Sequence, residues 1–500
     1  MNTKRRLTAI GYLGICSLSI SLAISGCGPS SPAEQTPTSG ATPSAISTTT
    51  PSVAPTPVLG NLADASDLRV WIEDYVHAYG GTVNVNGVAS DAEELLGAVR
   101  ASPGRFVERK TIKGQVRSFF TINGVPLGIQ TGGTWRSVLA RDISDARDAQ
   151  FAMPVLWYQI YNANFVNAIR NANLLTITRD LDTGVVFEKS TTEDWRSILL
   201  NWGTIKTQLD SGQIPNDSSY NWKPADQIVQ FARENHMGIR AQHLVWNGDV
   251  PDSIYKGGFT KAELLKILEF MVKVKVLKYK GVISEWNAAD ELVLSEGSSD
   301  QWGFWQRSVG LLDATRLAAS SVRTADPTAT ITIADDHEME SRFYDQQPKL
   351  GVRFMGFVKT LRQEGLIDKV DIENNLWIYD LPELDYMGSF LRQIQAEGIG
   401  LSAAEITVYP TRAFPLWYKV RQTYATVDDL PKAQAEGYRR AVQAYVNVGA
   451  YDIGMGDVGD ETSSANYLYP DTNPALFDIQ WKPKMAFYEV LEAMYDGLIA

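Results

Sequence analysis

Cysteine is almost missing from this 500-residue chain, which holds Cys16 and Cys27 and no other. Cys16 falls within a segment read below as a removable signal, and Cys27 at its cleavage point. The mature protein is therefore expected to have no catalytic thiol, no disulfide and no thiolate metal site. Histidine is scarce too. His77, His236, His243 and His337 are scattered without metal-ligand spacing, so no metal is expected. No basic run is present, and 46 Lys and Arg stand against 58 Asp and Glu, a formal charge of −12. That balance argues against a nucleic-acid partner. No glycine-rich strand-to-helix turn suited to phosphate is visible, and with no nucleotide or metal motif no cofactor is expected. What the chain does have is aromatic surface, with 13 Trp and 21 Tyr. Most will be core, although sugar clefts also use flat rings.

The N-terminus reads as an export signal. Lys4, Arg5 and Arg6 precede an apolar and small-residue run from Leu7 to Ile24, too short and Ser-rich for a permanent span of about 20 apolar residues. Ile24, Ser25, Gly26 and Cys27 resemble the lipobox of bacterial lipoproteins. Cleavage before Cys27 and acylation of its sulfur would anchor the chain without crossing the bilayer, at the extracellular or periplasmic face. Loss of the three cations takes the formal charge from −12 to −15. Residues 27–60 read as a disordered tether: from 28 on they hold seven Pro, six Ser and seven Thr, with Glu34 as the one charge.

From about residue 136 to 500, short apolar runs alternate with amphipathic helices. Eight strands are expected at Gln150–Val155, Leu174–Thr178, Ile239–Trp246, Val282–Trp286, Ala329–Ala334, Val370–Trp377, Ser402–Tyr409 and Tyr451–Met455. Thr260 and Glu263 form a capping box opening one intervening helix. Gly238, Gly365, Gly398 and Gly449 sit where helices should stop. Alternating strands and helices predict a parallel sheet, and eight units predict closure into a (β/α)8 barrel, with an open doubly wound sheet as the alternative. Residues 61–135 differ. Helices over 67–79 and 91–99, strands near 82–86 and 117–122, and a hairpin turn at Asn123 and Gly124 predict a small α+β region. The Lys-rich stretch Lys273, Lys275, Lys278 and Lys280 reads as a solvated helix face.

Barrel enzymes carry their reacting groups at the C-terminal ends of the strands. Glu291 follows the fourth expected strand, and Glu405 lies on the seventh. Two carboxylates can flank one glycosidic bond, one protonated to donate to the leaving oxygen and one ionised to attack carbon. A retaining pair needs about 5–5.5 Å between carboxyl groups, against about 6.5–9.5 Å when a water must fit. Among 58 acidic residues, position alone selects weakly.

The segments around these residues resemble glycoside hydrolase family 10, the endo-β-1,4-xylanases. Residues 237–251, with Arg240, Trp246 and Pro251, are similar to that family's Arg-Gly-His-Thr-Leu-Val-Trp-His run. Residues 279–291 resemble its Tyr-Lys-Gly…Trp-Asp-Val-Val-Asn-Glu, which ends in the acid/base. Residues 325–335 are similar to its Ala-Asp-Pro…Asn-Asp segment. Residues 401–407 resemble the strand bearing the nucleophile, with Glu405 in the Glu place, and residues 476–487 its Leu-Phe-Asp…Lys-Pro close. The resemblance implies a retaining endo-β-1,4-glycanase with Glu291 as acid/base and Glu405 as nucleophile. It also implies sugar contacts from Asn173, Gln242, Trp246, Asn247, Asp290 and Asn375. Its partner would be a β-linked polysaccharide, and a monomer is the default.

The departures fall in the sugar-binding floor. Ala172, Asn173 and Thr176 stand where the family has Glu, Asn and Lys. Gln242 and Asn247 replace imidazoles, and His243 takes a Thr place. Asp290 replaces the Asn before the acid/base. Glu373, Asn374 and Asn375 replace Gln-x-His, and the Trp on strand eight gives way near Gly454 and Gly456, with Tyr467 or Tyr469 as substitutes. An ionised Asp290 should raise the proton affinity of Glu291, and loss of the ammonium at Thr176 should make Glu405 easier to protonate. Two other readings stay open: a carbohydrate-binding lipoprotein with a weakened site, and a metal-assisted hydrolase at Asp335, Asp336 and His337.

Overall fold

The computed structural model describes residues 60–291, 303–335, 350–378, 384–410, 430–463, 466 and 472–498. The signal, Cys27 and the tether, together with Asp336, His337, Tyr467 and Tyr469, lie outside the described residues. No helix among those described is long and apolar enough to cross a membrane.

The chain begins with helices Leu68–Ala78 and Ala92–Ala101 around a two-stranded ribbon, β1 (Val83–Val85) and β2 (Val88–Ser90). A four-stranded antiparallel sheet follows, β3 (Val107–Ile112), β4 (Gln115–Ile122), β5 (Val125–Thr131) and β6 (Thr134–Ser137). Asn123 and Gly124, with φ of 51° and 87°, make the β4–β5 turn, the left-handed pair that suits a two-residue hairpin. This module packs on the helix Met485–Asp496. Phe119 meets Tyr495 edge-on at 4.9 Å, Tyr75 meets Tyr488 at 5.2 Å, and Tyr79 Oη donates to Glu489 Oε1 at 2.8 Å. One apolar core runs through the module and the barrel.

Eight parallel strands close the barrel: β7 (Gln150–Val155), β8 (Leu174–Ile177), β9 (Gly238–Ala241), β10 (Glu285–Ala289), β11 (Thr330–Asp335), β12 (Lys369–Trp377), β13 (Gly400–Tyr409) and β14 (Asp452–Gly454). All eight expected strands are found, and the third and fourth of them, β9 and β10, are displaced. β9 stops at Ala241 instead of reaching Trp246, because His243 turns the chain with φ 65°. β10 begins at Glu285 and runs to Ala289, three residues later than expected. The capping box forms, Thr260 Oγ accepting from Glu263 N at 3.3 Å. Glycine reverses the chain at 365, 398 and 449, but the fourth reversal is made by His236 (φ 56°), and Gly238 already opens β9.

The barrel interior is charged. β12 places Lys369, Asp371, Glu373, Asn375 and Trp377 on one face by its period of two. Lys369 Nζ lies 2.6 Å from Glu285 Oε2 and 2.8 Å from Asp452 Oδ2. Arg240 Nη1 lies 3.4 Å from Glu285 and Asp452 and 3.6 Å from Asp371. Three buried carboxylates thus face two buried cations. Burial pushes the Glu285 carboxyl up to about 7, and burial raises Asp371 as well. Burial also pulls on Lys369, but Asp452 and Glu285 outweigh it and hold the ammonium above its ordinary range.

The Lys-rich helix is a correction. Lys273 and Lys275 are buried, not solvated. Lys273 bridges Asp210 and Glu269 at 2.7 and 2.8 Å, and Lys275 Nζ donates to Thr183 Oγ1 at 3.1 Å. The helix Lys261–Lys278 buries most of its faces, so Lys273 finds Asp210 on a neighbouring helix and Glu269 on its own, and Lys275 finds Thr183.

Candidate active site at the C-terminal mouth of the barrel

Past the end of β9 the chain does not leave the sheet. Gln242 N donates to Ile177 O at 3.0 Å, then His243 turns left-handed. That turn lets Leu244 N reach Asn287 O at 3.1 Å and lets Asp290 N reach Val245 O at 3.0 Å. Glu291, the next residue, is also left-handed at φ 48°, with its N–H on Ala334 O at 3.2 Å. A non-glycine residue in that region costs on the order of 1–3 kcal/mol and persists where its surroundings fix it. Two such residues lie at one mouth, and both aim side chains at Trp246.

The Trp246 indole N–H donates to Glu291 Oε2 at 2.6 Å. The His243 ring stacks on the same indole, 4.7 Å between centroids and 24° between planes. Arg179, just beyond β8, brings its guanidinium carbon within 4.5 Å of that ring. Gly248 completes the seat, since a Cβ there would lie 2.4 Å from the Trp246 ring. Behind this group His243 Nδ1 lies 2.6 Å from Asp290 Oδ2. Asp290 is 0 % exposed. The two atoms stand within ion-pair distance and make no hydrogen bond, so the contact is a charge pair only where the imidazole carries a proton.

Glu405 reaches the mouth through an irregularity in β13. Ser402 pairs with Asp371, but Glu405 pairs with Glu373, so β13 spends one residue more than β12 between those points. The extra residue turns Glu405 onto the inward face, with Thr407 opposite Asn375 and Tyr409 opposite Trp377 above it. Tyr409 Oη donates to Asn375 Oδ1 at 3.1 Å and stacks on Trp377 at 4.6 Å. Ala289 pairs with Ile333, and Asp335 with Ile372, so Glu291 and Glu405 lie about one register step apart when traced through β11 and β12. Gly456, near the place of the family's strand-eight Trp, lies against this strand. A Cβ there would sit 2.0 Å from Thr407 Oγ1 and 3.6 Å from Glu405 Cβ, so no side chain fits.

Not every expected contact residue is here. Asn173 precedes β8 and belongs to the opposite mouth: its Oδ1 accepts from Phe151 N at 2.8 Å and its Nδ2 donates to Asp145 at 2.6 Å. Thr176 is inside the barrel, its Oγ1 3.3 Å from Arg240 Nη2. Both were placed too early on the strand. Arg179, not foreseen from the sequence, brings a cation to that rim beside Trp246, 3.4 Å from Asp182. Asn247 is buried and accepts from Trp305 N at 3.0 Å, holding the next loop. Gln242 is buried under the mouth, its amide without a partner among the described residues. Also missed were the exposed rings just past β7. Trp157 is 36 %, Tyr158 53 % and Tyr161 66 % exposed, and Trp157 meets the other two edge-on at 6.2 and 6.4 Å. Trp157 N donates to Asp180 Oδ2 at 2.9 Å, which ties these rings to the Arg179 loop. Among the described residues, the acidic side chains converging closely enough for a metal are Glu285, Asp371 and Asp452, and Arg240 and Lys369 already hold them.

Comparison with known proteins agrees with the closed barrel. Residues 200–493 match the model of Glycosyl hydrolase family 10. Endo-1,4-beta-xylanase B of Thermotoga neapolitana is 27 % identical over 305 residues, 60 % of this chain and 79 % of that protein. A beta-1,4-xylanase of Dictyoglomus thermophilum is 26 % identical over 291 residues, 56 % and 77 % of the two chains. Xylanase 10B from Thermotoga petrophila RKU-1, solved with xylobiose, superimposes with a TM-score of 0.58 at 20 % identity. That match covers 73 % of this chain and 99 % of the other. A closed eight-stranded barrel and a family match over more than half its length make this chain a member of glycosyl hydrolase family 10, a xylanase-like glycoside hydrolase.

Proposed function

We propose that the protein is a retaining endo-β-1,4-glycanase acting on xylan-type polysaccharide, with Glu291 as acid/base and Glu405 as nucleophile. The observation that carries this is the placement of Glu291 against Trp246 at the mouth to which the β13 irregularity turns Glu405. In the first step the Glu405 carboxylate attacks the anomeric carbon while Glu291 gives its proton to the departing oxygen. In the second, Glu291 takes a proton from water, which displaces Glu405 and restores both groups. Asp290, Gln242, Trp246 and Asn375 shape the floor. Trapping tests this directly. A 2-deoxy-2-fluoro-β-xylobioside with a good leaving group should inactivate the enzyme and add its glycosyl mass to the peptide containing Glu405. Label on another peptide, or turnover without any labelled species, would sink the assignment.

Trp157, Tyr158 and Tyr161 extend the floor along the rim as a platform for further sugar units. Replacing Trp157 and Tyr161 by Ala should raise the ratio of KM for xylohexaose to KM for an aryl xylobioside about fivefold or more, one stacked ring being worth about 1 kcal/mol. An unchanged ratio would remove these rings from the substrate path. The signal through residue 26, acylation at Cys27 and the tether over 27–60 would hold this activity at the outer face of a bacterial membrane. Residues 61–135 would serve the barrel as a structural extension, in keeping with their packing on the helix Met485–Asp496.

A further inference from the structure

We propose that His243 and Asp290 form a charge-compensated positioning pair for the acid/base, an inference that rests on the assignment of Glu291 above. The pair lies beneath Glu291, linked to it by two routes. Asp290 is its neighbour in the chain, and His243 reaches it through the stacked Trp246 indole, whose N–H holds Glu291 Oε2 at 2.6 Å. His243 Nδ1 and Asp290 Oδ2 stand 2.6 Å apart, and both residues are buried. A carboxylate so enclosed needs a counter-charge, and the His243 ring in contact with it would supply one by carrying a proton.

The left-handed turn at His243 lets Leu244 and Val245 hydrogen-bond along β10 and its extension. It also brings the ring over Trp246. Asp290 thus fixes the imidazole, the imidazole fixes the indole, and the indole holds the carboxyl. Electrically, the pair presents no net charge to Glu291. Lone Asp290 would make Glu291 cling to its proton, and a lone imidazolium would make it release the proton early.

Other charges surround the site: Arg179 with Asp182 on the β8 loop, Asp249 and Lys275 behind it, Asp335 ending β11, and Glu373 with Glu405 across the barrel. None of these changes between variants of the pair, so a difference between variants reports on the pair alone.

The test is the alkaline limb of kcat/KM on phenyl β-xylobioside, whose poor leaving group needs the acid. His243→Gln leaves Asp290 uncompensated, and should move the limb to higher pH by about half a unit or more. Asp290→Asn should move it to lower pH, and the double variant should return near the parent. His243→Phe keeps a ring on Trp246, so it should share the upward shift while losing less kcat than His243→Ala. Limbs that coincide in all variants, or that shift in one direction for both single changes, overturn the pairing. Circular dichroism shows which variants fold. Glu291→Gln separates the two ideas. Lost activity in Glu291→Gln with unmoved limbs defeats this inference and leaves the proposed function standing. Retained activity in Glu291→Gln defeats both.

Discussion

Replacing Glu405 by Gln is expected to abolish turnover of every substrate, whereas replacing Glu291 by Gln should do so selectively. The difference follows from what each carboxyl supplies. On the proposed assignment no glycosyl–enzyme bond would form without Glu405, so the expected loss is on the order of 10⁵-fold, in the range seen when a sole nucleophile is removed. Without Glu291 the carboxylate attack survives, and the loss of about 10²–10⁴-fold is that of one general acid. A leaving group such as 2,4-dinitrophenolate departs without a proton, so its release as an initial burst should persist in Glu291→Gln. The following hydrolysis of the intermediate, which needs the same residue as base, should then limit the rate. Stopped-flow measurement with the dinitrophenyl and phenyl β-xylobiosides distinguishes these steps. Equal losses on both substrates would show that Glu291 is not the acid, and a burst in Glu405→Gln would show that another group attacks.

Replacing Lys369 by Met should cost about 3–5 kcal/mol of stability, the range for breaking a buried ion network by removing one partner. The residue is sealed in the barrel against Glu285 and Asp452, and its loss leaves three carboxylates with Arg240 alone. The deficit should be largest above about pH 7 and shrink on acidification, because Glu285 can take up a proton. The parent carries a weaker form of the same dependence. Glu285 is raised from 4.5 to about 7 by burial, so its linked stability is fully present below about pH 4.5 and is lost as pH climbs through 7. Glu285→Gln, which mimics the protonated acid, should flatten that decline. Urea midpoints at pH 5 and pH 8 for the three proteins decide it, and a Lys369→Met midpoint equal to the parent's would refute the account.

The strand-helix alternation was readable because each strand is short, apolar and bounded by turns. The interior charges were not. Lys369, Asp371 and Glu373 alternate with Val370 and Ile372, a pattern that marks two faces without saying which faces the core. In this barrel the polar face points inward. Asn173 shows a different limit. Arg179 lies six residues further on, about 20 Å along an extended chain, so one slip in matching a strand exchanges the two mouths of the barrel. The substitutions at 243 and 290 looked like separate departures from the family. They are 47 positions apart and meet because β9 and β10 are neighbouring strands and His243 turns left-handed just beyond β9. The second departure that the sequence left unexplained, Gly456, is a matter of room beside Thr407.

The clasp between the N-terminal sheet and the helix Met485–Asp496 has a consequence for biosynthesis. Lys110 on β3 donates to Tyr495 O, 385 positions later, and Tyr79 to Glu489, 410 positions later. At about 5–20 residues per second, the ribosome needs roughly 20–80 s to supply that partner. Until that helix is made, Phe119 and Tyr75 lack the Tyr495 and Tyr488 rings they meet in the folded protein, so the docking of this module on the barrel is expected to be a late step of folding.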